Sequence, residues 1–147
     1  MKSLSVLLFS FFVLINVTKA GDWVTDLEKA KKEAATSGKM IVLNFSGSDW
    51  CVPCIKMKKE IFSNQAFMDY ADANLVLVRA DFPRLKKNKL SKEQTKANDA
   101  LAAKYNKKGL FPFTVLLNAK GEVIKTWDGM PKSTPEDFVA EVKKVKK

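Results

Sequence analysis

Residues 23–45 change from one hydrophobic period to another. Trp23, Leu27, Ala30 and Ala34 recur at i, i+4, i+7 and i+11, which predicts an amphipathic helix stopping at Ser37 and Gly38. Residues 40–45 are then nearly all apolar, the pattern of a strand covered on both faces in a parallel sheet. Residues 75–80 repeat that pattern and predict a second buried strand. Between them Cys51 opens a helix running to about Phe62. Pro53 is tolerated in its first turn because the N–H groups there lack intrahelical partners. Another short helix is predicted over 64–73.

Pro83 interrupts the periodicity. Ser91, with Gln94 three residues on, is a capping-box signal for a helix reaching Lys107, with Gly109 as its stop. Residues 113–117 predict another strand, 118–121 a turn, and 122–127 the antiparallel return of a hairpin. Thr134 caps a last helix with acids in its first turn and lysines at 143, 144, 146 and 147 at its end. Strands alternating with helices, followed by a hairpin and a closing helix, predict a single α/β domain. At 147 residues and 46% apolar content, the chain has the material for one core.

The first twenty residues read differently. Lys2 gives a positive start, residues 4–17 are apolar, and Thr18 and Ala20 put small residues at the −3 and −1 positions of a cleavage site. This predicts a signal peptide over 1–20, cleaved near Ala20, and an exported domain over 21–147, periplasmic or secreted. A retained membrane anchor is the alternative, but the apolar stretch falls short of the ~20 residues a span needs.

Basic residues outnumber acidic ones by 26 to 16, a net charge of +10 that falls to +8 once Lys2 and Lys19 are removed. Most of this reads as solvated surface. The exception is the cluster from Arg84 to Lys92, which includes Lys86, Lys87 and Lys89 and suits acidic partner proteins or anionic lipid. Export, and the lack of aromatic residues among the basic ones, argue against nucleic acid. With no histidine in the chain, imidazole mechanisms and most zinc sites are excluded, and two cysteines are half a structural zinc site. No metal is therefore expected.

Cys51 and Cys54 are the two cysteines of the chain, three residues apart. That is nearly one helical turn, so both side chains fall on one face and can close a disulfide without bending the backbone. A helix start presents unpaired N–H groups and the positive end of the macrodipole, which favour a thiolate on the first cysteine. A purely structural bridge over so short a loop gains little chain entropy. The arrangement suits a dithiol that opens and closes.

With Trp50-Cys51-Val52-Pro53-Cys54 after the first strand and Phe111-Pro112-Phe113 opening a later one, the chain resembles the thioredoxin superfamily. Residues 44–51 resemble the exported thioredoxin-like proteins of bacteria, and the resemblance runs over essentially all of 22–146. It implies a thioredoxin fold: a central mixed β-sheet flanked by helices, here with a basic insertion after the second long strand. It implies Cys51 as nucleophile and Cys54 as the buried resolving thiol. Pro112 matches the family's cis-proline, which packs beside the pair and lets neighbouring backbone pair with an extended substrate. Trp50, Pro53, Phe111 and Gly129 complete the substrate-facing set, although Phe111 and Phe113 also read as core packing.

The sequence departs from the family twice. Thioredoxins usually carry a buried Asp on the first strand, thought to take the proton from the resolving cysteine. The nearest position here is Asn44, whose amide cannot act as that base, which leaves Asp49 or a water as candidates to assist proton transfer. The dipeptide between the cysteines is Val-Pro where thioredoxins commonly have Gly-Pro, so family membership leaves the direction of electron flow open.

The resemblance implies an exported thiol–disulfide oxidoreductase that reduces protein disulfides through a mixed disulfide. The Cys51–Cys54 pair takes the place of a cofactor. A separate redox partner, such as a membrane thiol transporter, would re-reduce it. The alternatives are an oxidase or isomerase using the same pair, and a non-catalytic binding module with a structural disulfide. Nothing in the sequence demands more than a monomer.

Overall fold

The computed structural model describes residues 22–145. The expected signal peptide over 1–20, its cleavage near Ala20, and Lys146 and Lys147 lie outside the described residues. One mixed sheet holds β1 (Met40–Ser46), β2 (Leu75–Asp81), β3 (Phe113–Leu117) and β4 (Val123–Asp128), in the order β2-β1-β3-β4. β1 runs parallel to β2, with Met40 opposite Leu75 and Ser46 opposite Asp81. It runs antiparallel to β3, with Phe45 opposite Phe113. Every residue of β1 and β3 is buried, which is why these segments are nearly all apolar rather than alternating.

Alternate residues of β1 feed two cores on opposite faces of the sheet. Ile41, Leu43 and Phe45 pack with Leu27, Ala30 and Ala34 of α1 (Leu27–Ser37) and with Leu101, Ala102 and Tyr105 of α4 (Lys92–Tyr105). Met40 and Val42 face α2 (Val52–Met57), α3 (Gln65–Asn74) and α5 (Pro135–Lys144). On that second face Phe62, Phe67, Trp127 and Phe138 form an aromatic cluster. Glu141 fixes α5 to the hairpin, accepting from Trp127 Nε1 at 2.9 Å and from Lys125 Nζ at 2.8 Å. The Lys125 contact, then the Trp127 one, holds its carboxyl below the usual range.

Four details differ from the sequence reading. Trp23 is not on the α1 stripe: it precedes the N-cap Asp26 and packs on the other core, 4.9 Å from Phe62, with the Arg79 guanidinium 4.1 Å over its ring. The helix expected to reach about Phe62 does so, but its last turn, Lys58–Phe62, is π-helical. The Ser91 box is half made. Ser91 Oγ accepts from the Gln94 N–H at 3.1 Å, while the Gln94 side chain turns away to Thr25 O and Asn98 Oδ1. Finally, α4 stops at Tyr105 rather than Lys107, because the buried Asn106 side chain pairs with both the N–H and C=O of Leu110, at 2.9 Å each, and turns the chain before Gly109.

Ahead of α1, Val24 bridges to β2 alongside Val78. Its N–H donates to Leu77 O and its C=O accepts from the Arg79 N–H, both at 2.9 Å.

Candidate active site

The site begins where β1 ends. Residues 47–50 turn the chain so that the Cys51 N–H donates to Gly47 O at 2.9 Å and the Trp50 N–H to the same oxygen at 3.3 Å. Gly47 is demanded by close approach: a Cβ there would lie 2.3 Å from Trp50 Cε2. Ser48 ties this turn to the end of β2, its N–H donating to Asp81 Oδ1 at 2.9 Å and its hydroxyl to Asp81 Oδ2.

Cys51 is the N-cap of α2, in extended backbone, and its Sγ accepts from the Cys54 N–H at 3.3 Å. Cys51 and Cys54 are joined in a disulfide, with Cα atoms 5.2 Å apart. Pro53 sits in the first turn, as its missing N–H allows. In this oxidised form both cysteines are 4% exposed, so burial alone does not distinguish attacker from resolver. Between them Val52 and Pro53 face solvent.

Trp50 is half-buried and held on three sides. Its Nε1 donates to Phe82 O at 2.7 Å, Phe111 meets it edge-on at 5.4 Å, and the Arg84 guanidinium lies 3.7 Å over its ring. The Phe111–Pro112 bond is cis. Pro112 immediately precedes β3, whose first residue faces Phe45 near the end of β1, so it stands at the same end of the sheet as the turn to Cys51. The Gly129 N–H donates to Pro112 O at 2.9 Å, with Gly129 at φ 78. Thus Trp50 is joined to Phe111, and Pro112 to Gly129, at one end of the sheet.

Asp49 points elsewhere. Its Oδ1 accepts from the Arg84 N–H at 2.9 Å, and its Oδ2 accepts from the Leu85 N–H and Asn88 Nδ2 at 3.0 Å each. Those donors, the Arg84 N–H foremost, hold its carboxyl below the usual range. The carboxylate suggested by sequence as a proton acceptor is a clasp on the basic loop. Among the described residues there is no cluster of three or more His, Cys, Asp or Glu that could hold a metal ion.

A family model described as thioredoxin-like matches residues 22–119, more than half of the chain. The chain belongs to the thioredoxin-like family. A curated relative named "Disulfide bond reductase DsbH", from Chlamydia pneumoniae, is 38% identical over 94 residues. The match covers 64% of this chain and 55% of the relative, so the chain spans about half that protein's length. A solved structure titled "DsbH Oxidoreductase" is 33% identical with a TM-score of 0.75, covering 84% of this chain and 83% of that one. A thioredoxin from Thermus thermophilus, at 19% identity, has a TM-score of 0.64 over 86% of this chain and 88% of its own, and shows the same fold.

In this thioredoxin-like chain Asn44 is a buried polar position within β1, 3% exposed. Its Nδ2 donates to Thr114 Oγ1 at 3.0 Å and Phe113 O at 3.4 Å, stitching β1 to β3. An amide there satisfies the sheet without offering a proton acceptor. Nothing in the residue pattern marks Gly47, Phe82 or Asp81 as supports of Trp50 and the turn: Gly47 acts by lacking a side chain beside the indole, Phe82 through its backbone oxygen, and Asp81 through a serine.

The clasp is testable. Asp49→Ala removes the acceptor for two loop N–H groups and one side-chain amide, so the Arg84 and Leu85 amides should exchange with solvent at least about tenfold faster, read by hydrogen exchange. A carboxyl lowered by folding stabilises above its unfolded value of ~3.9. The tether is therefore present at neutral pH and is lost only as pH falls further, through the lowered value of the folded protein. Unchanged exchange at both amides in the variant would remove the clasp.

Proposed function

We propose that this chain is an exported thiol–disulfide oxidoreductase that reduces protein disulfides through Cys51 and Cys54. The observation that carries the reading is a disulfide placed at the N-cap of α2 in a thioredoxin-like domain, with an N–H aimed at the first sulfur. A relative named as a disulfide bond reductase supports the direction. The apolar stretch and small-residue cleavage pattern over 1–20 support export.

In the reduced protein the Cys51 thiolate, favoured by the helix N-terminus, attacks one sulfur of a substrate disulfide. That bond breaks, one substrate sulfur leaves and takes up a proton, and a Cys51–substrate mixed disulfide forms. Cys54, deprotonated, then attacks the Cys51 sulfur and closes the Cys51–Cys54 bond, releasing the second substrate thiol. Two electrons have passed from the dithiol to the substrate. With Asn44 and Asp49 both engaged, the Cys54 proton goes to solvent. The cis Phe111–Pro112 segment, with Gly129 hydrogen-bonded to it and Trp50 against Phe111, presents together with the exposed Pro53 the surface against which the substrate lies. No dissolved cofactor enters the cycle. A second dithiol protein, such as a membrane thiol transporter of a Dsb-type system, restores the reduced pair.

The reduction potential of the Cys51–Cys54 couple tests this. A value near ~−270 mV or below is expected of a reductase. A value near ~−120 mV would reverse the flow and make the protein an oxidase. A pair that exchanges with no thiol buffer over hours would end the catalytic reading.

A further inference from the structure

Next to the disulfide, a cleft of about 580 Å³ opens between the loop after β2, α4 and Phe111. Its inner wall is Trp50 and Phe111, the residues bonded directly to Cys51 and Pro112. Phe82 and Leu90 extend this apolar wall, and Arg84 and Lys89 also line it.

The lining is net positive, with Arg84 and Lys89 against one carboxylate, Asp81. Asp49 is engaged by donors of the loop, and both oxygens of Asp81 accept from Ser48. Among the described residues Arg84, Lys86, Lys87 and Lys89 make no ion pair, the salt bridges lying at Lys31–Glu28, Lys56–Glu60 and Lys125–Glu141. A concave aromatic wall with a net positive lining, in which Arg84 stacks on Trp50 and neither Arg84 nor Lys89 has an ion-pair partner among the described residues, suits a carboxylate accompanied by an apolar side chain. A segment seated there is one residue away, along either wall, from the reacting sulfur and the cis-proline, so binding in the cleft would hold a neighbouring disulfide at Cys51.

We propose that this cleft receives an acidic segment of the disulfide-bearing polypeptide, its carboxylates set against Arg84 and Lys89 and an apolar side chain against Trp50 and Phe111. The proposal rests on the oxidoreductase reading above and adds the substrate class. A membrane surface is disfavoured by the concave shape, since a flat bilayer would meet the rim and leave the aromatic wall unfilled.

The test uses the purified, reduced protein and three disulfides: neutral 2-hydroxyethyl disulfide, and two cystine-linked peptides with a Phe near the cysteine, differing only in two Glu against two Gln. The Glu peptide should react with a kcat/KM about tenfold above the Gln peptide at low salt. The gap should close in about 1 M salt, where the Debye length is about 3 Å. In Arg84→Gln with Lys89→Gln the preference should fall below about twofold, through KM rather than kcat. Lys86→Gln with Lys87→Gln, outside the cleft lining, should keep most of it.

Equal rates for the two peptides while the neutral disulfide is still reduced would overturn the cleft and leave the oxidoreductase reading standing. Failure with all three disulfides would overturn that reading instead. Loss of the preference in the Lys86/Lys87 variant, or in the presence of phosphatidylglycerol vesicles that bind the protein, would assign the charge to a diffuse or membrane role and overturn the proposal.

Discussion

Cys51→Ser should abolish disulfide reduction, a fall of at least about 10³-fold, because the hydroxyl that replaces the thiolate is neither ionised nor a disulfide nucleophile at neutral pH. Cys54→Ser should act differently. The first attack remains, the second is gone, and Cys51 accumulates as a stable mixed disulfide with the substrate, visible as added mass that a reductant removes. The asymmetry does not come from exposure, since the two cysteines are equally covered. It comes from position: Cys51 caps the helix and receives the Cys54 N–H, whereas Cys54 lies inside the first turn. If Cys51→Ser kept its turnover, or if Cys54→Ser trapped nothing while Cys51→Ser trapped substrate on Cys54, the assignment of roles would be wrong.

The largest effect on stability should come from Gly47→Ala. The new Cβ would meet three indole atoms of Trp50 at 2.3 to 2.6 Å. That ring cannot move aside freely, being bonded to Phe82 O and packed against Phe111 and Arg84. Overpacking costs about 1–3 kcal/mol, and breaking the indole hydrogen bond adds about 1 kcal/mol. A loss of about 2–4 kcal/mol is expected, with Tm lowered by roughly 5–15 °C. Trp50→Ala in the same chain should relieve the clash, so the double variant should be much less destabilised than the sum of the singles. Denaturant unfolding of all three variants measures this, and strict additivity would mean that Gly47 and Trp50 do not oppose each other in the folded state.

Much of the fold was legible because it follows from period. The buried runs at 40–45, 75–80 and 113–117 became β1, β2 and β3, and the cysteine spacing located the helix start. The failures have physical causes. Trp23 stands four residues before Leu27, yet Asp26 starts the helix between them, and spacing cannot see a cap intervene. The end of α4 was set by Asn106 binding Leu110, a local bond that competes with helix propagation. The disulfide of Cys51 with Cys54 and the cis bond before Pro112 were readable, since there a residue type is itself the signal. The support of Trp50 was not readable. Asp49 binds backbone N–H groups some 35 residues away, which any residue types could supply, and a lysine-rich stretch without period gives no hint that it folds back on an indole.

The bridge at Val24 bears on whether another chain can add to the edge of the sheet. An uncovered outer strand is a template on which another chain can add, and β2 is the outer strand of the parallel half of the sheet. Val24 already occupies that row with two backbone bonds. At the opposite border β4 leaves Val123 and Ile124 exposed and interrupts its register beside Lys125, a poorer template. The first safeguard thus lies in a short stretch just after the expected cleavage point. Trimming the chain back to Asp26 would spare every residue of the redox site and still invite sheet-to-sheet polymerisation.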